Sequence, residues 1–254
     1  MKRVLKKDFR WIITPLAMMV IALVVLECLV LAGVGLRNVS LIVTSIRIAI
    51  YAAAITLFYH IYMTGDVFLR NLRERQYFYD LKKEGMSKYT VVLWKFAYVM
   101  VSLTVFATLY VAALYLDIRL FAGAFPSEEE AFNNFGVRNM IVGKNGDAFV
   151  PAFLATIFEY LTAGMVLIAL VFAVVSVTYS VFRTSKLCGF NCALVWLVMF
   201  GAFLKVYSAT VNGLTGTTAH VRAGLMQLGL TIVFLGFALY MMRKIVPDEP
   251  TATP

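Results

Sequence analysis

Three charged residues stand inside long apolar runs: Glu27 in Val24-Val25-Leu26-Glu27-Cys28-Leu29, Arg47 in Ser45-Ile46-Arg47-Ile48, and Glu159 in Ile157-Phe158-Glu159-Tyr160-Leu161. A charge in such surroundings is costly unless it is paired, hydrogen-bonded or in contact with water, so each marks a candidate functional position. Glu27 lies about 11 residues before the Arg37–Ser40 turn and Arg47 about 8 after it, which places them about 17 and 13 Å along two antiparallel helices. That difference is within reach of two long side chains, so Glu27 and Arg47 are a candidate ion pair. The other reading has Arg47 extending outward to polar surface and Glu27 protonated or hydrogen-bonded.

The remaining reactive residue types form no site. His60 and His220 have no neighbouring Cys, His or Asp at ligand spacing, so no metal is expected. Cys188 and Cys192 share a helix face at i, i+4 and read as small packing residues. The sequence holds no Ser/His/Asp arrangement and no Gly-x-x-x-x-Gly-Lys-Ser/Thr to cradle phosphate. No catalytic residue and no cofactor are expected in this chain.

The elements that position these residues follow from composition. The chain has 254 residues, 61% of them hydrophobic and 15% charged, with a mean hydropathy of +0.83. Soluble domains carry about 25% charged residues, and a globule of this size cannot hide such an apolar excess. Soluble enzymes, nucleic-acid binders and disordered chains are excluded. The expected fold is an all-α polytopic membrane protein, a single transmembrane domain over residues 1–254. About 20 apolar residues cross the hydrocarbon, and six segments reach that length: about 11–36, 41–63, 91–116, 151–182, 187–204 and 224–242. The apolar run of the first is too long for the core of a cleaved signal peptide.

Lysines and arginines orient the spans. Sixteen of the 23 fall on one side, in the N-terminus, residues 64–95, residues 183–186 and the tail; six fall on the other. Both termini are therefore expected in the cytoplasm. Lys2, Arg3, Lys6, Lys7 and Arg10 alternate with Val4, Leu5, Phe9 and Trp11, the pattern of an interfacial helix on an anionic leaflet.

Residues 64–90 read as a cytoplasmic amphipathic helix followed by a break. Tyr77, Phe78 and Leu81 share one face, among Arg73, Glu74, Arg75, Asp80, Lys82, Lys83 and Glu84. Gly85 is placed to stop the helix in a left-handed conformation, and Ser87 to cap the next one. Aromatic residues mixed with both signs of charge suit a protein interface better than a lipid-lying face. Outside, Ser127-Glu128-Glu129-Glu130 fits a capping box for a short helix to about Phe135, and residues 205–223 carry turn chemistry at Asn212-Gly213.

The layout of basic N-terminal helix, two spans, a long cytoplasmic helix closed by Lys83-Glu84-Gly85-Met86-Ser87, Trp94-Lys95 beyond it, and four more spans resembles the transmembrane subunit of an ABC transporter of the ABC-2 exporter type. Met86 stands where that family usually has proline, and Glu84-Gly85-Met86-Ser87-Lys88 also resembles the turn of FtsX-like permeases. The first resemblance implies that residues about 68–84 are a coupling helix for a separate ATPase, with Arg73, Arg75, Tyr77, Phe78, Leu81, Lys82 and Gly85 at the contact. It further implies two ATPase copies holding ATP and Mg, a second identical or homologous permease subunit, and a bacterial cell membrane location. It implies export of an amphiphilic or hydrophobic compound, and that the 205–223 segment is similar to a re-entrant hairpin. The FtsX-like alternative is a membrane sensor or resistance permease that binds an extracellular peptide and signals.

Overall fold

A computed structural model describes residues 3–125, 149–182, 185 and 187–246. Among these the only regular elements are seven helices: α1 (Arg3–Gly35), α2 (Val39–Arg73), α3 (Arg75–Lys83), α4 (Lys88–Ala124), α5 (Phe149–Phe182), α6 (Cys188–Val211) and α7 (Gly216–Ile245). Five are long and apolar enough to cross a membrane: α2, α4 over Lys88–Tyr110, α5 over Leu154–Phe182, α6 and α7. The chain is a multi-pass membrane protein. The first expected span falls on α1, one unbroken helix whose described apolar stretch is Val20–Gly35. The capping box at Ser127 lies outside the described residues.

The helices outrun the apolar segments that announce them. A helix continues while its backbone bonds propagate, whereas an apolar window ends at the first charges. Thus α2 runs ten residues past Met63, and residues 68–73 belong to it and not to a separate surface helix. At the other end of the bundle, α6 continues through Tyr207 to Val211 and α7 begins at Gly216. Only residues 212–215 turn, with Gly213 at φ 75° and Gly216 at φ 63°. Residues 205–223 are therefore the ends of two long helices joined by a short turn and not a hairpin of their own.

The turns carry their own explanations. Between α1 and α2, Arg37 takes φ 49°, and the Asn38 side chain caps α2 by accepting from Leu41 N at 3.1 Å. After α3, Gly85 takes φ 81°. Its N–H donates to the Lys82 carbonyl at 2.8 Å, and that of Met86 donates to the Leu81 carbonyl at 3.0 Å. This pair of bonds is the Schellman arrangement that closes a helix on a left-handed residue. Ser87 then accepts from Thr90 N at 3.1 Å and opens α4. Both expectations from the 83–87 turn hold.

One helix forms the centre. Of the apolar stretch of α5, 72% is buried inside the chain, against 11% for α6 and 25% for α2. Its most extensive neighbour is α7, and it also touches α2, α4 and α6. Phe172 of α5 is fully enclosed, with its ring 4.8 Å from that of Phe68 on α2, edge to face. Close approach depends on small residues where helices cross. A Cβ on Gly224 of α7 would sit 2.4 Å from the Phe158 ring of α5, and one on Gly33 of α1 would sit 2.6 Å from Ile42 of α2. Cys188 and Cys192 are buried free thiols within the core, as their spacing suggests.

Candidate functional site

Two places in the bundle gather the residues that the sequence singles out: α3 at one end, and a polar cluster among α5, α6 and α7 towards the other.

Helix α3 exists because its apolar residues can fold back on the bundle. The chain kinks at Glu74, where φ −82° and ψ 84° interrupt the helix. This break turns Tyr77, Phe78 and Leu81 onto the ends of α2 and α4. There they are 5%, 6% and 0% exposed, within the same core as Phe68, Leu72, Val91 and Val92. Tyr77 and Phe78 pack edge to face at 5.1 Å, and the buried Lys95 of α4 places Nζ 4.8 Å from the centre of the Tyr77 ring. Here the sequence reading needs correction. Phe78 and Leu81 anchor α3 to its own chain, so they are not free to enter a partner's cleft. The face turned outward carries Tyr79, Lys82, Lys83 and Glu84, with Lys83 Nζ 4.4 Å over the Tyr79 ring. Arg73 is also exposed. The Arg75 side chain lies outside the described residues. Lys88 ties the start of α4 to the end of α7 by donating to the Val246 carbonyl at 2.5 Å.

The second cluster centres on Glu159. Its carboxylate accepts a hydrogen bond from the Tyr207 hydroxyl of α6 at 2.5 Å and pairs with His220 Nδ1 of α7. The Glu159 and His220 side chains are 13% and 17% exposed, so water reaches the pair only at its edge. One turn further along the same α5–α7 seam, the buried Thr162 hydroxyl donates to Gln227 Oε1 at 2.7 Å. Glu159 and Thr162 are i, i+3 on α5, and His220 and Gln227 are i, i+7 on α7, so two polar contacts stack along one crossing. Of these residues, sequence reading finds Glu159 and places His220 in a loop. Tyr207 and Gln227 escape it because neutral polar residues in an apolar helix give no signal of their own.

The cluster acts as a three-helix clasp. Glu159→Gln should be mild, because an amide can still meet both neighbours. Glu159→Leu removes two interhelical contacts, each worth about 0.6–1.7 kcal/mol in membrane proteins. Thermal unfolding in detergent should therefore show a clear loss for leucine and little for glutamine. Equal losses would mean that the carboxylate contributes through its shape alone.

The α1–α2 seam is made by Val30, Ile42 and Ile46. Residue 47, one step round the helix from Ile46, is exposed, whereas the carboxyl of Glu27 comes into hydrogen-bonding reach of Asp117 on α4. His60 is fully buried between α2 and α4, with Nε2 3.3 Å from Ser102 Oγ. Among the described residues no three His, Cys, Asp or Glu side chains come together to hold a metal ion. No protein-family model, curated protein or solved structure matches the chain.

Proposed function

We propose that this chain is the permease subunit of an ATP-driven exporter of the ABC-2 kind, in a bacterial cell membrane, moving an amphiphilic or hydrophobic compound. The observation that carries this reading is α3: a helix fastened by its apolar side to α2 and α4, with a tyrosine and lysine face outward. The sixteen-to-six distribution of basic residues puts that end in the cytoplasm, where a soluble ATPase would press on it. A push on α3 is carried by Tyr77, Phe78 and Leu81 into α2 and α4, and from Phe68 to Phe172 on the central α5. Rigid transmission requires the anchors to be buried in the permease itself, and this is why the contact with the ATPase is assigned to Tyr79, Lys82 and Lys83. In this reading α1 is the sixth span, its basic start lies on the cytoplasmic leaflet, and Gly85 fixes the angle between α3 and α4. The largely uncovered faces of α2 and α6 are available to lipid and to a second permease subunit. ATP and Mg belong to two ATPase copies.

The test is Lys82→Glu/Lys83→Glu, co-expressed with an ABC ATPase subunit of the same organism that co-purifies with the wild-type chain. Because both side chains are exposed, the unfolding temperature of the permease should hardly move. Recovery of the ATPase, or its cargo-stimulated hydrolysis, should fall by about tenfold or more, as for charge reversal at an interface. Undiminished recovery and turnover would sink the assignment of α3 as the coupling element.

A further inference from the structure

We infer that Cys188 and Cys192, at the start of α6, form a binding site for a soft monovalent cation, Cu(I), held between their two sulfurs. The two residues are i, i+4 on one helix face, where side chains stand one above the other with Cβ atoms about 5–6 Å apart. Their sulfurs lie within hydrogen-bonding reach of each other, and both are free thiols. Two thiolates so placed can close from opposite sides on Cu(I), an ion that soft sulfur ligands select. Zinc is disfavoured, because it takes four ligands and among the described residues no third His, Cys, Asp or Glu joins the pair. Cu(I) is satisfied with two.

The surroundings suit a thiolate complex better than two idle thiols. Thr178 of α5 is 1% exposed. Thr104, Thr108, Thr210 and Thr231 turn their hydroxyls back to a carbonyl of their own helix. Thr178 instead directs its hydroxyl at the Cys192 sulfur, without closing a hydrogen bond of normal geometry to any group. A protonated thiol is a weak acceptor and a metal-bound thiolate a better one, so this hydroxyl gains its partner when the ion arrives.

Charge agrees with this. Two thiolates and one Cu(I) carry a single net negative charge. Cys188 is the first residue of α6, at the positive end of its dipole, and the Arg73 guanidinium of α2 acts on Cys192. Cys188 is fully enclosed and Cys192 is 7% exposed, so the pair meets the surface at its Cys192 edge. Binding forms two Cu–S bonds and releases two thiol protons to solvent with no change of oxidation state, so affinity rises with pH. The site stands whether or not α3 receives an ATPase.

The test is an anaerobic titration of the full chain in nanodiscs with Cu(I), against bicinchoninate as a coloured competitor. Wild type and Cys28→Ser, which removes the exposed third cysteine, should each withdraw one equivalent of Cu(I) from the indicator. Cys188→Ser and Cys192→Ser should each withdraw none. Thr178→Val keeps the shape and removes the hydroxyl, so it should weaken binding by about tenfold, as loss of a hydrogen bond to a metal ligand does. Should the serine variants fail to fold, X-ray absorption of the copper-loaded wild type should show two sulfur neighbours and no nitrogen. Failure of the wild type to compete with the indicator would overturn the inference. So would loss of binding in Cys28→Ser, equal withdrawal by Cys188→Ser/Cys192→Ser, or copper with three or more ligands.

Discussion

Phe78→Ala/Leu81→Ala is expected to unfold the α3 end of the protein. Both side chains are buried, Leu81 completely. Truncation of enclosed side chains costs about 2–5 kcal/mol for leucine and about 3–5 for phenylalanine, through lost transfer energy and the cavity left behind. The two sit one turn apart in a single cluster, so the sum is not additive, but even half of it is large against a total stability of about 5–15 kcal/mol. Hydrogen exchange should show the amides of α3, and those at the start of α4 around Val91 and Val92, losing protection together. If those amides stay protected, α3 is held by something other than its apolar face. The same experiment separates anchoring from docking, because Lys82→Glu/Lys83→Glu should leave the exchange pattern alone.

The second large effect belongs to the α5–α7 crossing. Gly224→Val would drive a branched side chain into the Phe158 ring, which already stands 2.4 Å from where a Cβ would be. Overpacking of this kind costs about 1–3 kcal/mol. The consequence is larger in a membrane, where helix association rests on close packing instead of water exclusion. The seam would part along its length, taking with it the Thr162–Gln227 bond and the pairing of Glu159 with His220. Phe158→Ala on the same background should recover most of the loss, since it vacates the space that the valine needs. A strong drop in unfolding temperature for the single variant, with recovery in the double, is the expected result. Additive losses would place the clash elsewhere.

Much of the architecture was legible because apolar runs of about 20 residues and the clustering of lysine and arginine are properties of the chain itself. The 83–87 turn was legible for a different reason: Gly85 and Ser87 act through local hydrogen bonds that depend on few neighbours. What failed was whatever depends on direction round a helix axis. The approach of Glu27 to Asp117 went unread, because only the packing of α1 on α4 brings those two carboxyls near one another. Phe78 and Leu81 were correctly placed on one face, but the sequence alone could not say whether that face looked into the bundle or away from it. The break at Glu74 decides this, and it follows from how the ends of α2 and α4 receive α3. His220 was lost because hydropathy stops at Lys205 and resumes beyond Arg222, although the helices do not.

The central position of α5 has a consequence for how the chain is made. Its principal partner, α7, is synthesised only after α5 and α6: 63 residues separate the end of α5 from the end of α7. At about 5–20 residues per second that is a delay of about 3–13 s. During this interval the apolar face of α5 is at ease, since lipid is as welcoming to valine and phenylalanine as the protein core. Glu159 is less so, for its His220 partner on α7 has not yet emerged and only Tyr207 of α6 can meet it. A nascent chain halted before Gly216 therefore displays a half-satisfied carboxyl on an otherwise greasy helix, a mark by which membrane chaperones and proteases can tell an unfinished copy from a finished one.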